Sequence, residues 1–191
     1  MNLTIPNLLS ILRMGLIPWF VISVLDGDET QALWIFVIAG VTDALDGFIA
    51  RFWRQQSALG AYLDPLADKL LLVTAYVMLA IPNLRTGLVI PAWVTALVIT
   101  RDVVIVVVAL VLHLAVGLSR FPPSPLSKIN TAAQLVAIIA VLLSSRGPLF
   151  EAGAGFFVYL VAALTIGSGI EYIYRANRMA AHRASDPAAP E

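Results

Sequence analysis

The chain has 191 residues, of which 60% are hydrophobic and 13% charged, with a formal net charge of +0, a mean hydropathy of +0.89 and no cysteine. Ordinary soluble domains carry about 25% charged residues, so this is the composition of an integral membrane protein with one membrane domain and no sizeable soluble one. The neutral balance offers no footing for nucleic acid, and without cysteine there is no disulfide, zinc-thiolate or thiol chemistry.

About 20 apolar residues suffice to span a bilayer, and the sequence predicts an all-α protein with six such helices. In chain order they are Asn7 to Leu25, Gln31 to Phe52, Ala58 to Ile81, Leu88 to Val116, Leu126 to Leu143 and Ala154 to Tyr174. The opening Met1-Asn2-Leu3-Thr4-Ile5-Pro6 lacks the basic start and cleavage site of a signal peptide. Asp26-Gly27-Asp28-Glu29 reads as the first turn, Pro82-Asn83 as a helix stop, Phe121-Pro122-Pro123-Ser124-Pro125 as a stiff loop and Arg146-Gly147-Pro148 as another turn. Residues 1–176 form the expected membrane domain, and the Ala/Pro/Asp-rich stretch 177–191 an expected disordered tail.

Charge sets the expected orientation. Arg51, Arg54, Arg120, Lys128, Arg175, Arg178 and Arg183 gather on one side, against Arg85 and Arg146 on the other. The positive-inside rule puts both termini, and the loops at 53–57 and 117–125, in the cytoplasm. A bacterial inner membrane is the expected address. Trp19, Trp34, Trp53 and Trp93 fall mostly near segment ends and read as interfacial anchors, not ligand contacts.

The chemistry sits around the second and third segments. The pattern is Asp43-x2-Asp46-Gly47-x2-Ala50-Arg51-x8-Gly60-x3-Asp64-x3-Asp68. A carboxylate near the centre of a membrane helix costs roughly 2.5–3.5 kcal/mol, so four amount to about 10 kcal/mol unless neutralised. Arg51 and Lys69 are too few to form a purely structural salt-bridge cluster with them. Asp43, Asp46, Gly47 and Ala50 share one helical face by spacing, as do Gly60, Asp64 and Asp68. The polar link Arg54-Gln55-Gln56-Ser57 lets the two helices form an antiparallel hairpin with four carboxylates near its cytoplasmic end. Hard oxygen ligands of this kind suit Mg²⁺ or Mn²⁺, and two ions balance the four charges. Gly47, Ala50 and Gly60 alone would read as helix-packing residues; beside the acids they leave room for a ligand. Arg51 offers a planar fork to a phosphate.

This pattern resembles the signature of the CDP-alcohol phosphotransferase family, from Ile5-Pro6-Asn7-Leu8-Leu9 to about Tyr174. The resemblance implies a six-helix membrane domain, usually a homodimer. Its activity would be to move a phosphatidyl group from a CDP-linked lipid, CDP-diacylglycerol, to an alcohol with release of CMP. It further implies that Asp43, Asp46 and Asp64 hold the metals. Asp68, the fourth carboxylate of the ligand set, would be the general base, and Gly47, Ala50, Arg51 and Gly60 would receive the cytidine diphosphate.

Later segments bear on the acceptor. Thr100-Arg101-Asp102-Val103 and Leu126-Ser127-Lys128-Ile129-Asn130-Thr131-Ala132-Ala133-Gln134 resemble segments of the cardiolipin-synthase branch more than the phosphatidylglycerophosphate-synthase branch. Phosphatidylglycerol is therefore the expected acceptor and glycerol 3-phosphate the alternative. Arg101 and Asp102, inside the fourth apolar segment, are acceptor-site candidates or else a structural pair, bonded to each other or to the aspartate cluster. Lys128 is an acceptor-phosphate candidate, whereas Arg120 reads as positive-inside decoration. His113 reads as a helix-end residue, and Glu171 with Tyr172 and Tyr174 as the cap of the last helix. Two other classes are weighed. A membrane prenyltransferase would carry its acids on well-separated helices, and a divalent-cation transporter would need carboxylates along a pore at mid-depth.

Overall fold

The computed structural model describes the backbone of residues 5–53, 58–82, 87–116 and 125–185, and side chains over 11–42, 69–82, 87–108 and 125–175. Its elements are α1 (Ile5–Leu25), α2 (Glu29–Trp53), α3 (Ala58–Leu79), α4 (Ala92–Val116), α5 (Pro125–Leu143), a 3-10 turn (Ser144–Arg146) and α6 (Pro148–Ser185). Among the described residues there is no strand. Two helical stretches, Pro125–Arg146 and Pro148–Arg175, are long and apolar enough to cross a membrane.

Each boundary has a local cause. After α1 the chain reverses through Gly27, whose φ of 74° favours a residue without Cβ. Asp28 then caps α2, its Oδ1 accepting the Gln31 N–H at 2.9 Å. Proline opens both α5 and α6, at the first helical position where its missing N–H costs no bond. Between α5 and α6 the backbone turns at Gly147, φ 150°.

Two boundaries differ from expectation. The fourth helix starts at Ala92, not Leu88, because the stretch before it is held by other elements. Leu88 N–H donates to Ser144 Oγ (2.7 Å) and Ile90 N–H to the Leu79 carbonyl (3.0 Å). A Cβ on Gly87 would collide with Ser144 Oγ and lie 2.8 Å from the Ser145 nitrogen, so only glycine fits there. The sixth helix runs from Pro148 to Ser185, well past both ends of the expected Ala154 to Tyr174 and into the segment expected as a tail. Glu171 and Tyr172 therefore do not cap a helix end. Glu171 pairs with Arg175 one turn on (2.7 Å), and Tyr172 donates to the Ile105 carbonyl (2.9 Å), tying α6 to α4.

Among the described residues the apolar core takes Phe20, Phe36, Leu71, Leu72, Val94, Ile138, Leu142, Val158 and Val161 from all six helices, with Ile90 from the stretch before α4. Helix α1 packs on both α2 and α3, and α5 on α2, α3 and α6. Among the described residues α2 and α3 are thus bridged by α1 and α5 and make little direct contact. The outer halves of the expected hairpin each pack on α1. The exposed Trp19, Trp34 and Trp93 agree with an interfacial or lipid-facing role; Trp93 also meets Tyr159, ring centroids 6.3 Å apart.

Candidate active site

Helix α2 carries Asp43, Asp46, Gly47, Ala50 and Arg51 in its second half, and α3 carries Gly60, Asp64 and Asp68 in its first. Continuous helix through both stretches keeps each set on one face, as the i, i+3, i+4 and i+7 spacing requires. The side chains of all eight lie outside the described residues, as do the loops at 54–57 and 117–124 with Arg54 and Arg120, and the side chains of His113, Arg178, His182 and Arg183. Among the described residues no three His, Cys, Asp or Glu side chains gather as a metal site. The acids are nevertheless hard oxygen donors of the kind Mg²⁺ and Mn²⁺ take.

The described side chains begin again one residue after Asp68, and there the structure is informative. Lys69 Nζ reaches across to Asp102 Oδ2 on α4 at 2.5 Å. The second carboxylate oxygen of Asp102 accepts from Arg101 Nη1 at 2.8 Å. Arg101 is itself buried, 7% exposed, and held on two further sides. Its Nε donates to Ser168 Oγ on α6 (3.2 Å) and its Nη2 to Ser127 Oγ at the start of α5 (2.6 Å). Ser168 Oγ in turn donates to the Thr165 carbonyl (3.1 Å).

Three helices, α4, α5 and α6, therefore meet at one guanidinium, and α3 joins them through Lys69 on Asp102. A guanidinium has five N–H donors, and these bonds use three. One N–H remains on each terminal nitrogen, a fork matched to a phosphate or carboxylate. The Lys69–Asp102–Arg101 group has two cations and one anion, a net single positive charge. Lys69 keeps 43% of its side chain exposed, so the buried charge is that of Arg101, which Asp102 meets. The sequence left open whether Arg101 and Asp102 form a mutual ion pair or a functional group. The pair exists, and it is one part of a larger polar cluster.

Along the helices, Ser127 stands at the start of α5, whereas Lys69, Arg101 and Ser168 lie within α3, α4 and α6, with about 17, 22 and 25 Å of helix continuing past them on that side. Lys128 is exposed beside Ser127. Within the bundle, Asn130 accepts from Thr165 Oγ1 at 3.1 Å through Oδ1. Both amide atoms of the fully buried Gln134, one turn further along α5, have no hydrogen-bond partner among the described residues.

One residue escaped the sequence reading. Arg13, on α1, is fully buried. It lies 12 residues from the end of α1, about 18 Å deep, whereas Asp43 lies 14 residues into α2, about 21 Å. Because α1 packs on both α2 and α3, Arg13 stands at the level of the aspartates on the helix between the two that carry them. Its signal was present: an arginine in an apolar segment is a functional candidate by default.

Comparison with known proteins agrees with the motif. The sequence model described as CDP-alcohol phosphatidyltransferase matches residues 3–167. Over 178 residues the chain is 37% identical to a rat protein and 36% identical to a human one, both named cardiolipin synthase (CMP-forming); the match covers 85% of this chain. The chain spans about half the length of those two proteins, the matched part being 56% of each. It is 36% identical over 176 residues to the CDP-diacylglycerol–glycerol-3-phosphate 3-phosphatidyltransferase of Haemophilus influenzae, covering 91% of this chain and 93% of that protein.

Proposed function

The chain belongs to the CDP-alcohol phosphatidyltransferase family, and from that premise we propose that it transfers the phosphatidyl group of CDP-diacylglycerol to phosphatidylglycerol, releasing CMP and forming cardiolipin. It would work in phospholipid biosynthesis as a six-span homodimer of the bacterial inner membrane, with both termini and the active site on the cytoplasmic side. The observation that supports a phosphate-bearing acceptor is the buried Arg101 guanidinium, fixed by Asp102, Ser127 and Ser168; the choice of phosphatidylglycerol rests on the likeness of segments 100–103 and 126–134 to cardiolipin synthases.

In this reading Asp43, Asp46, Asp64 and Asp68 form the ligand set for Mg²⁺ or Mn²⁺. Bound ions of this kind supply charge stabilisation on the diphosphate and make CMP a better leaving group. Arg51 meets the diphosphate, while Gly47, Ala50 and Gly60 leave space for the cytidine diphosphate. Asp68 takes the proton from the attacking hydroxyl of the acceptor. Lys69, the next residue, is tied to Asp102 and so links the helix of the base to the acceptor site. Arg101 and Lys128 hold the acceptor's phosphate, and Asp102 keeps Arg101 in place.

A second reading, with glycerol 3-phosphate as acceptor, is favoured by the near full-length match to the Haemophilus enzyme. The test is CMP release by the purified protein with CDP-diacylglycerol and Mg²⁺ or Mn²⁺, offering each acceptor separately. Release with phosphatidylglycerol alone is expected. Release with glycerol 3-phosphate alone would move the assignment to the second reading, and no release with either would refute both.

A further inference from the structure

Helix α4 is flanked by two grooves. One, of about 280 Å³, opens between α3 and α4 beside Val73, Ile99, Lys69 and Asp102. The other, of about 440 Å³, lies between α4 and α6. Its walls are Ala96, Leu97, Val104, Ile166 and Ile170 with Arg101 among them, and the Gly169 backbone lets the Arg101 stem lie close. Ile166 and Ile170 are half or more exposed, so the slot opens sideways, toward lipid in a membrane. From Ala96 to Ile105 it runs nine residues of α4, roughly 13 Å.

Charge distinguishes the two. The α3–α4 groove is lined by both Lys69 and its counter-ion Asp102, 2.5 Å apart. The α4–α6 groove has Arg101 in its wall and, among its described lining, no acidic residue. A slot with hydrocarbon walls and one guanidinium fits a ligand with an alkyl chain and an anionic head. A small polyol phosphate would use the guanidinium and leave the slot unfilled.

We propose that the α4–α6 groove holds an acyl chain of a phosphatidylglycerol molecule, with the lipid's phosphodiester drawn to Arg101. This rests on the acceptor assigned above and deepens it, for the groove then selects a lipid acceptor over a soluble one. The chain lies along Ala96, Leu97 and Ile166, and the head group stays at the polar cluster, within reach of α3.

The experiment uses the full chain in lipid–detergent micelles with a phosphatidylglycerol carrying a diazirine in one acyl chain. After irradiation, labelled peptides are mapped by mass spectrometry. Labelling concentrated within 96–105 and 165–173 is expected, falling at least fivefold in Ala96→Trp. Ala96 is exposed on the groove wall, so the larger side chain fills the slot without entering the core. Ile38→Trp, at an exposed site on α2, controls for an added indole and should label as the unsubstituted protein does. In turnover, Ala96→Trp should raise the KM for dioleoyl-phosphatidylglycerol about tenfold, the burial of roughly two methylenes. The KM for the dihexanoyl lipid should change less than twofold. Labelling outside the groove, or labelling and KM untouched by Ala96→Trp, would overturn the proposal even if phosphatidylglycerol is turned over. Groove labelling without turnover would uphold the lipid site and refute the acceptor. Disulfide-linked dimers of Ala96→Cys formed in the presence of phosphatidylglycerol would put a second copy in the slot and overturn the proposal.

Discussion

Replacing Arg101 separates its two roles, because lysine and methionine remove different things. Arg101→Lys keeps a cation opposite Asp102 but loses the planar fork, and its three N–H donors sit on one atom. Arg101→Met also removes the charge and leaves Asp102 with Lys69 as its remaining partner. Breaking a fully buried ion pair costs 3–5 kcal/mol. Here Asp102 is 11% exposed and keeps Lys69 at 2.5 Å, so the expected loss of stability for Arg101→Met is nearer ~2 kcal/mol. For Arg101→Lys it is under ~1 kcal/mol.

The functional loss should not follow stability, because Arg101→Lys, though little destabilised, has already lost the fork. A charge-assisted hydrogen bond contributes about 1.5–3 kcal/mol, so losing one bond to the acceptor's phosphate predicts a rise in its KM of roughly 10- to 100-fold. The KM for CDP-diacylglycerol should move less than threefold. The assay is initial-rate CMP release, varying each substrate with the other saturating, alongside thermal unfolding of each variant in detergent. Arg101→Lys that folds as stably as the parent and raises the acceptor KM fits the argument. If both KM values rise equally, or the acceptor KM stays put while stability falls by several kcal/mol, Arg101 is a structural residue and the acceptor site is elsewhere.

Further outcomes follow from the same geometry. Asp68→Asn should keep CDP-diacylglycerol binding and abolish turnover, whereas Asp43→Asn should lose the metal-dependent part of that binding; titration with and without chelator distinguishes them. Arg13→Gln should lower kcat at least tenfold if its charge acts on the aspartate hairpin, with Arg13→Lys recovering part of it; an unchanged kcat would assign Arg13 to packing. Gly87→Ala should destabilise the protein by about 1–3 kcal/mol, since the new Cβ meets Ser144 and the backbone beside it; a thermal unfolding curve superposable on the parent's would contradict that.

The helices and the acid motif were legible because they rest on composition and spacing. Long apolar runs and i, i+3 and i+4 carboxylates need no knowledge of tertiary contacts. What stayed hidden was the direction each helix faces. In a membrane bundle the lipid-facing side is as apolar as the core, so exposed Ile22, Trp34 and Ile38 read like buried Phe20, Ile35 and Phe36. That is why α1 lying between α2 and α3 was not foreseen, nor the burial of Arg13 that follows. The late start of α4 depends on Leu88 and Ile90 finding partners on the 3-10 turn after α5 and on α3, which no local pattern encodes. The extension of α6 past Tyr174 runs through polar sequence, where loss of hydropathy was taken for loss of helix. Arg101, Asp102, Lys128 and Lys69 stand out as charges in or beside apolar segments; Ser127 and Ser168, which complete the cluster, have residue types too ordinary to stand out.

The most direct test of phosphatidyl transfer to phosphatidylglycerol is the origin of the product's atoms. Purified protein in vesicles would receive CDP-diacylglycerol and phosphatidylglycerol with a deuterated head-group glycerol, and lipid products would be weighed by mass spectrometry alongside CMP. The expected result is one CMP per cardiolipin, each cardiolipin carrying one labelled glycerol as its bridge, with none formed by the Asp68→Asn protein. Cardiolipin formed without CMP, or CMP released solely when glycerol 3-phosphate is present, would contradict it.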